Sequence, residues 1–79
     1  MNISNEMYDT LLKKYEMEVQ EYKTTLMIYF ERPVGIGDHP NHIDDMDELI
    51  SKAASANDKL NMLKKMFEGV YSRLWIILD

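Results

Sequence analysis

The sequence predicts an all-α protein, an antiparallel helical hairpin with a long second helix. Two long segments repeat apolar residues every three to four positions, and both prolines of the chain lie in the short stretch between them. Apolar residues at that spacing form one stripe along a helix, and proline interrupts helical geometry. The 79 residues leave room for a single domain, residues 1–79.

The first helix is expected over about residues 5–31. Four tyrosines seven residues apart alternate with three aliphatic residues, at Tyr8, Leu12, Tyr15, Val19, Tyr22, Leu26 and Tyr29. A stripe with this spacing keeps facing one partner helix over several turns. Ser4 or Asn5 can cap the first turn, and Pro33 disfavours helical geometry in the residue before it. The helix is therefore predicted to end near Arg32.

A loop over residues 32–40 leads to a second helix, expected over about residues 41–78. Two apolar heptad series run through this helix, at Met46, Ala53, Leu60, Phe67 and Leu74 and at Leu49, Ala56, Leu63, Val70 and Ile77. Gly69 is a possible break, because glycine inside a helix costs about 1 kcal/mol relative to alanine. The heptads continue in phase beyond it, which favours a continuous helix.

Closing the hairpin near residue 36 places opposite each other residues whose numbers add to about 72. Val19 then faces Ala53, and about ten residues of the second helix extend past the first. This extension is apolar on nearly every face and predicts an oligomer interface at Val70, Tyr71, Leu74, Trp75, Ile77 and Leu78. An apolar surface of this size on a small protein is typical of an interaction site. We therefore expect a homo-oligomer that forms a helical bundle.

Composition and charge exclude several classes of partner and location. The net charge of −5 disfavours binding to duplex DNA or RNA. The absence of cysteine excludes stabilisation by disulfide bonds. No segment approaches the roughly 20 apolar residues of a membrane-spanning helix. We expect a cytoplasmic protein without a membrane partner.

A metal site and an enzyme active site are both disfavoured by the motifs. Asp38, His39 and His42 supply weak candidate ligands for a divalent metal. Helix capping explains this cluster better, because two histidines three residues apart across a helix start are a poor ligand signature. The chain has no cysteine, and no serine shares a recognisable setting with a histidine. The sequence therefore predicts a protein that is not an enzyme and uses no cofactor.

The tyrosine series also allows a ligand-binding interpretation. Phenol rings can stack on nucleobases, and nearby cations can meet a phosphate. The candidate residues are Tyr8, Tyr15, Tyr22, Lys23 and Arg32. A ring stripe at helical spacing is more often core, and that interpretation is the stronger one.

The loop sequence Pro33-Val34-Gly35-Ile36-Gly37-Asp38-His39-Pro40, followed by Ile43, Met46 and Asp58-Lys59-Leu60, resembles small accessory proteins encoded by tailed bacteriophages. The resemblance covers about two fifths of the chain. It implies a viral accessory protein made in a bacterial cytoplasm and does not by itself imply an activity. Small phage proteins of this size typically act by binding, and we expect the same here by analogy of class. The acidic charge favours a host protein as the target, in an inhibitory or anti-defence role. An oligomeric sponge that sequesters a nucleotide signalling molecule is one alternative, and a structural or assembly role is another.

Overall fold

The computed structural model describes residues 3–31 and 42–71, and these residues form two helices that pack against each other. Helix α1 spans Ile3–Glu31, and helix α2 spans His42–Phe67. The all-α hairpin predicted from the sequence is confirmed. The loop over residues 32–40 and the segment 72–79 lie outside the described residues.

Contacts at both ends of the hairpin show that the helices are antiparallel. At the loop end, the ring of Tyr29 meets His42 edge to face, with centroids 5.9 Å apart and an interplanar angle of 86°. At the other end, called the free end below, Tyr8 contacts Tyr71 with ring centroids 6.3 Å apart. The start of α1 therefore lies beside the end of α2.

The heptad stripes form the seam between the helices. All seven residues of the α1 stripe are buried or half-buried, and so are Met46, Leu49, Ala53, Ala56, Leu60 and Leu63 of α2. Ala56 is only 3% exposed, because its small side chain lets the helix backbones approach there. The seven-residue spacing thus predicted the packed face of α1 and most of that of α2.

The beginning of α1 differs slightly from the expected one. The helix already includes Ile3, so Ser4 and Asn5 lie inside its first turns and do not precede them. Asn5 is buried, at 7% exposure, and belongs to the packed face. The expected start near residue 5 was therefore late by two residues.

The end of α2 lies at the possible break near Gly69, although a continuous helix was favoured; the predicted course over residues 72–78 lies outside the described residues. α2 ends at Phe67, and residues 68–71 form a turn. In this turn the amides of Val70 and Tyr71 both donate to the Phe67 carbonyl, at 2.8 and 2.9 Å. A Cβ added at Gly69 would meet nothing within 4 Å. Packing therefore does not offset the cost of glycine in a helix, and the break occurs at this residue.

The turn also changes the pairing at the free end. The predicted register places residue 64 opposite Tyr8, whereas the ring that contacts Tyr8 belongs to Tyr71. The turn brings Tyr71 back against the end of α2, with its ring 6.0 Å from that of Phe67. Tyr71 is consequently half-buried within its own chain and is not part of a free overhang.

Candidate functional site

A cleft of about 250 Å³ opens between the helices near their middle, and Tyr22 lies in its wall. Its lining comes from about one turn of α1 and about two turns of α2: Glu18, Tyr22, Lys52, Ser55, Ala56 and Lys59. The cleft exists because Ser55 and Ala56 are small where α2 passes the phenol ring. The side chains at positions 52, 55, 56 and 59 share one face of α2, since residues three and four apart are neighbours on a helix.

The cleft is locally cationic in an acidic protein. Its lining carries two lysines and one glutamate, whereas the whole chain has a net charge of −5. Lys59 makes no ion pair with any residue in the described ranges. Lys52 lies 3.4 Å from the Glu48 carboxylate, but both side chains are exposed, so this pair is weak and water competes for it.

The glutamate of the cleft is itself paired. The Lys14 ammonium donates a hydrogen bond to Glu18 at 2.9 Å. This hydrogen bond and the attraction of the Glu18 carboxylate raise the pKa of Lys14 above its ordinary value. Lys14 remains charged at neutral pH and offsets the negative charge of Glu18. The positive charges of Lys52 and Lys59 are therefore available to an anion that enters the cleft.

An aromatic ring beside two lysines can hold an anion that itself carries a flat ring. A base stacks on the phenol, and ammonium groups meet a phosphate. Complete small-molecule sites usually enclose about 300–1,000 Å³. The cleft of one chain, at about 250 Å³, is slightly smaller than this range.

The residues predicted to bind a ligand are not gathered at one place. Tyr8 is 4% exposed and packs on Tyr71. It stands fourteen residues from Tyr22, about 21 Å along the helix axis. Lys23 is exposed and points about 100° away from Tyr22 around the helix, outside the cleft lining. Tyr15 is half-buried in the seam, and Arg32 lies outside the described residues.

Sequence reasoning missed the cations that the structure brings to Tyr22. Lys52 and Lys59 belong to the other helix and are about thirty residues or more from Tyr22 in sequence, whereas Lys23 and Arg32 are near it. One signal was present. The two lysines stand seven residues apart on either side of Ser55 and Ala56, which places all four on one helical face beside the small residues expected to meet the rings.

Of the three suggested metal ligands, His42 is the one that lies within the described residues. His42 begins α2 and packs on Tyr29, whereas Asp38 and His39 lie outside the described residues. Over residues 3–31 and 42–71, no group of three histidine, aspartate or glutamate side chains is placed to hold a metal ion.

A second concave surface, called the free-end groove, lies where Tyr71 meets α1. Its volume is about 230 Å³, and its lining is Ser4, Met7, Tyr8, Leu11, Leu63, Phe67 and Tyr71. Apart from Ser4 and the two tyrosine hydroxyls, these side chains carry no polar group. Val70, from the predicted oligomer interface, is exposed next to the groove; Leu74, Trp75, Ile77 and Leu78 lie outside the described residues.

Neither described helix is long and apolar enough to cross a bilayer.

No protein-family model, no curated protein and no solved structure matches the chain.

Proposed function

We propose that this protein acts by binding and without catalysis, as a homo-oligomer that captures a small nucleotide-type ligand at the Tyr22 cleft. The observation that carries the proposal is the meeting of one phenol ring with Lys52 and Lys59 in a single concave site. In this function, the tyrosine stacks on the base and the lysines bind the phosphate. We therefore favour capture of a nucleotide over binding of a host protein. The negative net charge of the chain favoured a protein target, but the lining of this cleft carries more positive than negative side chains.

Oligomerisation into a helical bundle is supported by how little the hairpin buries. The buried hydrophobic residues in the described ranges are Tyr8, Leu12 and Ala56. A core this small supplies only a few kcal/mol, and oligomerisation is one of the usual ways to supplement it. An additional subunit also supplies the missing wall of a cleft that is slightly too small.

Isothermal titration with a panel of mono- and dinucleotides tests the capture of a ligand. Tyr22→Ala is expected to weaken binding about 5- to 150-fold, because stacking on a ring contributes about 1–3 kcal/mol per base. Lys59→Ala removes the lysine that lacks an ion pair in the described residues and is expected to weaken binding in a salt-dependent manner.

The matched control is Lys23→Ala. Lys23 carries the same charge next to Tyr22 in sequence, but it lies outside the cleft. Its removal should leave affinity nearly unchanged. Equal losses from Lys23→Ala and Lys59→Ala would place the site elsewhere. Purified protein that binds no nucleotide, and releases no ultraviolet-absorbing molecule on heating, would refute the proposal.

Binding of a host protein is the second candidate, and a different surface favours it. Large apolar side chains are exposed on the outer faces of both helices, with Ile43 77% and Ile50 54% exposed on one stripe of α2. Such a stripe can dock on an apolar partner surface. Co-purification of one bacterial protein that Ile43→Asp and Ile50→Asp abolish, without any effect of Tyr22→Ala, would favour this function.

Both candidates fit a phage-type accessory protein of the bacterial cytoplasm, which the loop resemblance implies. They differ in the surface that they use, so one set of purified variants separates them. Protein that retains neither a nucleotide nor a host partner would leave the structural or assembly role.

A further inference from the structure

The free-end groove is lined mainly by apolar side chains and is open on its outer side. Met7 is 64% exposed and Leu11 40% exposed along its α1 edge. Across the groove, Phe67 and Tyr71 form the opposite wall. A second apolar depression of about 390 Å³ adjoins it on α1 and shares Met7 and Leu11. The apolar surface therefore continues from the groove around the start of α1.

Shortly after the last residue of the groove, the sequence contains an uninterrupted apolar run. Five consecutive residues, from Leu74 to Leu78, carry no polar side chain, and they come only three residues after Tyr71 in the groove wall. A run with this composition presents apolar groups on every side in any regular conformation. It is therefore stable in water only where it is enclosed from more than one direction.

We infer that the free-end groove of one chain receives the apolar segment 74–78 of a second copy. This inference rests on the homo-oligomer proposed above and names the contact that builds it. The groove supplies an apolar trough between Met7 and Leu11 on one wall and Phe67 and Tyr71 on the other. The segment supplies aliphatic side chains and the indole of Trp75 to fill it.

A second copy fits this role better than the chain's own segment. A single groove covers one side of the inserted residues and leaves their other sides in water. Two copies that exchange segments present both segments and both grooves to each other, as in a self-complementary interface. The exchange also offers a partner surface to Ile3, which lines the adjoining depression and is 67% exposed.

Cross-linking tests the contact directly, because the chain has no cysteine of its own. One chain carries Met7→Cys, and a second, size-tagged chain carries Ile76→Cys. The two are refolded together and treated with a short thiol-reactive cross-linker. The expected product is the mixed dimer of one tagged and one untagged chain.

The matched control replaces Met7→Cys with Met17→Cys. Met17 is 67% exposed on the same helix, nearly the same as Met7, but it does not line the groove. The mixed dimer should be lost with this control. Equal yields from the two positions, or a product from Met17→Cys alone, would overturn the docking in the groove while leaving an oligomer intact.

Fluorescence distinguishes a second copy from the chain's own segment, because Trp75 is the single tryptophan. Emission should be blue-shifted at high protein concentration and should shift to the red as dilution dissociates the assembly. Leu11→Glu should cause the same red shift without dilution, because it places a charge in the groove. Leu11 is already partly exposed, so the hairpin tolerates this change.

Three results would contradict the inference. Blue-shifted emission that persists in a diluted monomer would mean that the segment packs on its own chain. A full-length protein that is monomeric by light scattering at every concentration would refute the oligomer as well. An oligomer with red-shifted emission would refute only the groove contact.

Discussion

The two ends of the hairpin are built from the same helices but bury side chains to different extents. Four of the five buried residues in the described ranges lie in the first third of α1: Asn5, Tyr8, Asp9 and Leu12. At the loop end, Leu26, Tyr29, Met46 and Leu49 are only half-buried. At the free end, the turn after α2 adds the ring of Tyr71 over Tyr8, so this residue is covered by more than the facing helix. Between the two ends, the small Ala56 is buried, whereas the larger stripe residues of α1 from Tyr15 to Tyr29 are half-buried.

Truncating a leucine at each end gives the largest expected contrast. Leu12→Ala should lower the free energy of unfolding by about 2–5 kcal/mol, because it empties a closed site. Leu26→Ala should cost less than about 2 kcal/mol, because its side chain is already partly in water. Urea denaturation at one fixed protein concentration measures both. Equal losses would mean that the loop end is packed as tightly as the free end, for example by an additional subunit.

Enlarging the small residue between the two ends tests where the helices approach most closely. Ala56→Leu is expected to destabilise the fold by about 1–3 kcal/mol, since it overpacks a buried position. The control Ala54→Leu adds the same atoms at an exposed position of α2 and should change stability by less than about 0.5 kcal/mol. A tolerated Ala56→Leu would show that the helices separate easily at the Tyr22 cleft.

Replacing Gly69 tests whether the turn at the free end requires glycine. Gly69→Ala adds a methyl group to open space, so no clash opposes it. The substitution should stabilise the protein by about 0.4–1 kcal/mol, because alanine restricts the unfolded chain. Thermal unfolding measures the gain. A loss of stability would mean that the turn over Tyr8 needs glycine itself.

Removing a cleft lysine should have the smallest effect on stability. Lys52→Ala breaks an exposed pair with Glu48 and should change the free energy of unfolding by less than about 0.5 kcal/mol. The same variant should weaken nucleotide binding measurably, since Lys52 lines the Tyr22 cleft. Titration and denaturation on one sample compare the two effects. A stability loss that matches the affinity loss would show that Lys52 acts on the fold.

The helical stripes were predictable because each depends on local spacing. Tyr8 to Tyr29 and Met46 to Leu63 follow one geometric rule, and the structure places both stripes in the seam. The break at Gly69 was recognised as possible but not favoured, because the heptads continue in phase; the sequence does not show that no packing surrounds this residue. The pairing of Tyr8 with Tyr71 depended on that break.

The candidate site was less predictable than the fold. Tyr22 was named from its spacing, but its cationic neighbours come from residues about thirty positions away. Their approach depends on how the two helices pack, which the local spacing around Tyr22 does not reveal. Lys23 was predicted because it is the neighbour of Tyr22 in sequence, whereas Lys52 and Lys59 lie on the other helix.

The closure of Tyr8 by Tyr71 has a consequence during protein synthesis. The two rings are 63 positions apart in the chain, so the start of α1 is synthesised long before Tyr71, which packs on it. Until residue 71 has emerged, the nascent chain must carry uncovered aromatic and aliphatic groups from its first helix. Non-local contacts of this kind form late and slow the final step of folding. We expect this interval to be the one in which ribosome-associated chaperones bind the nascent chain.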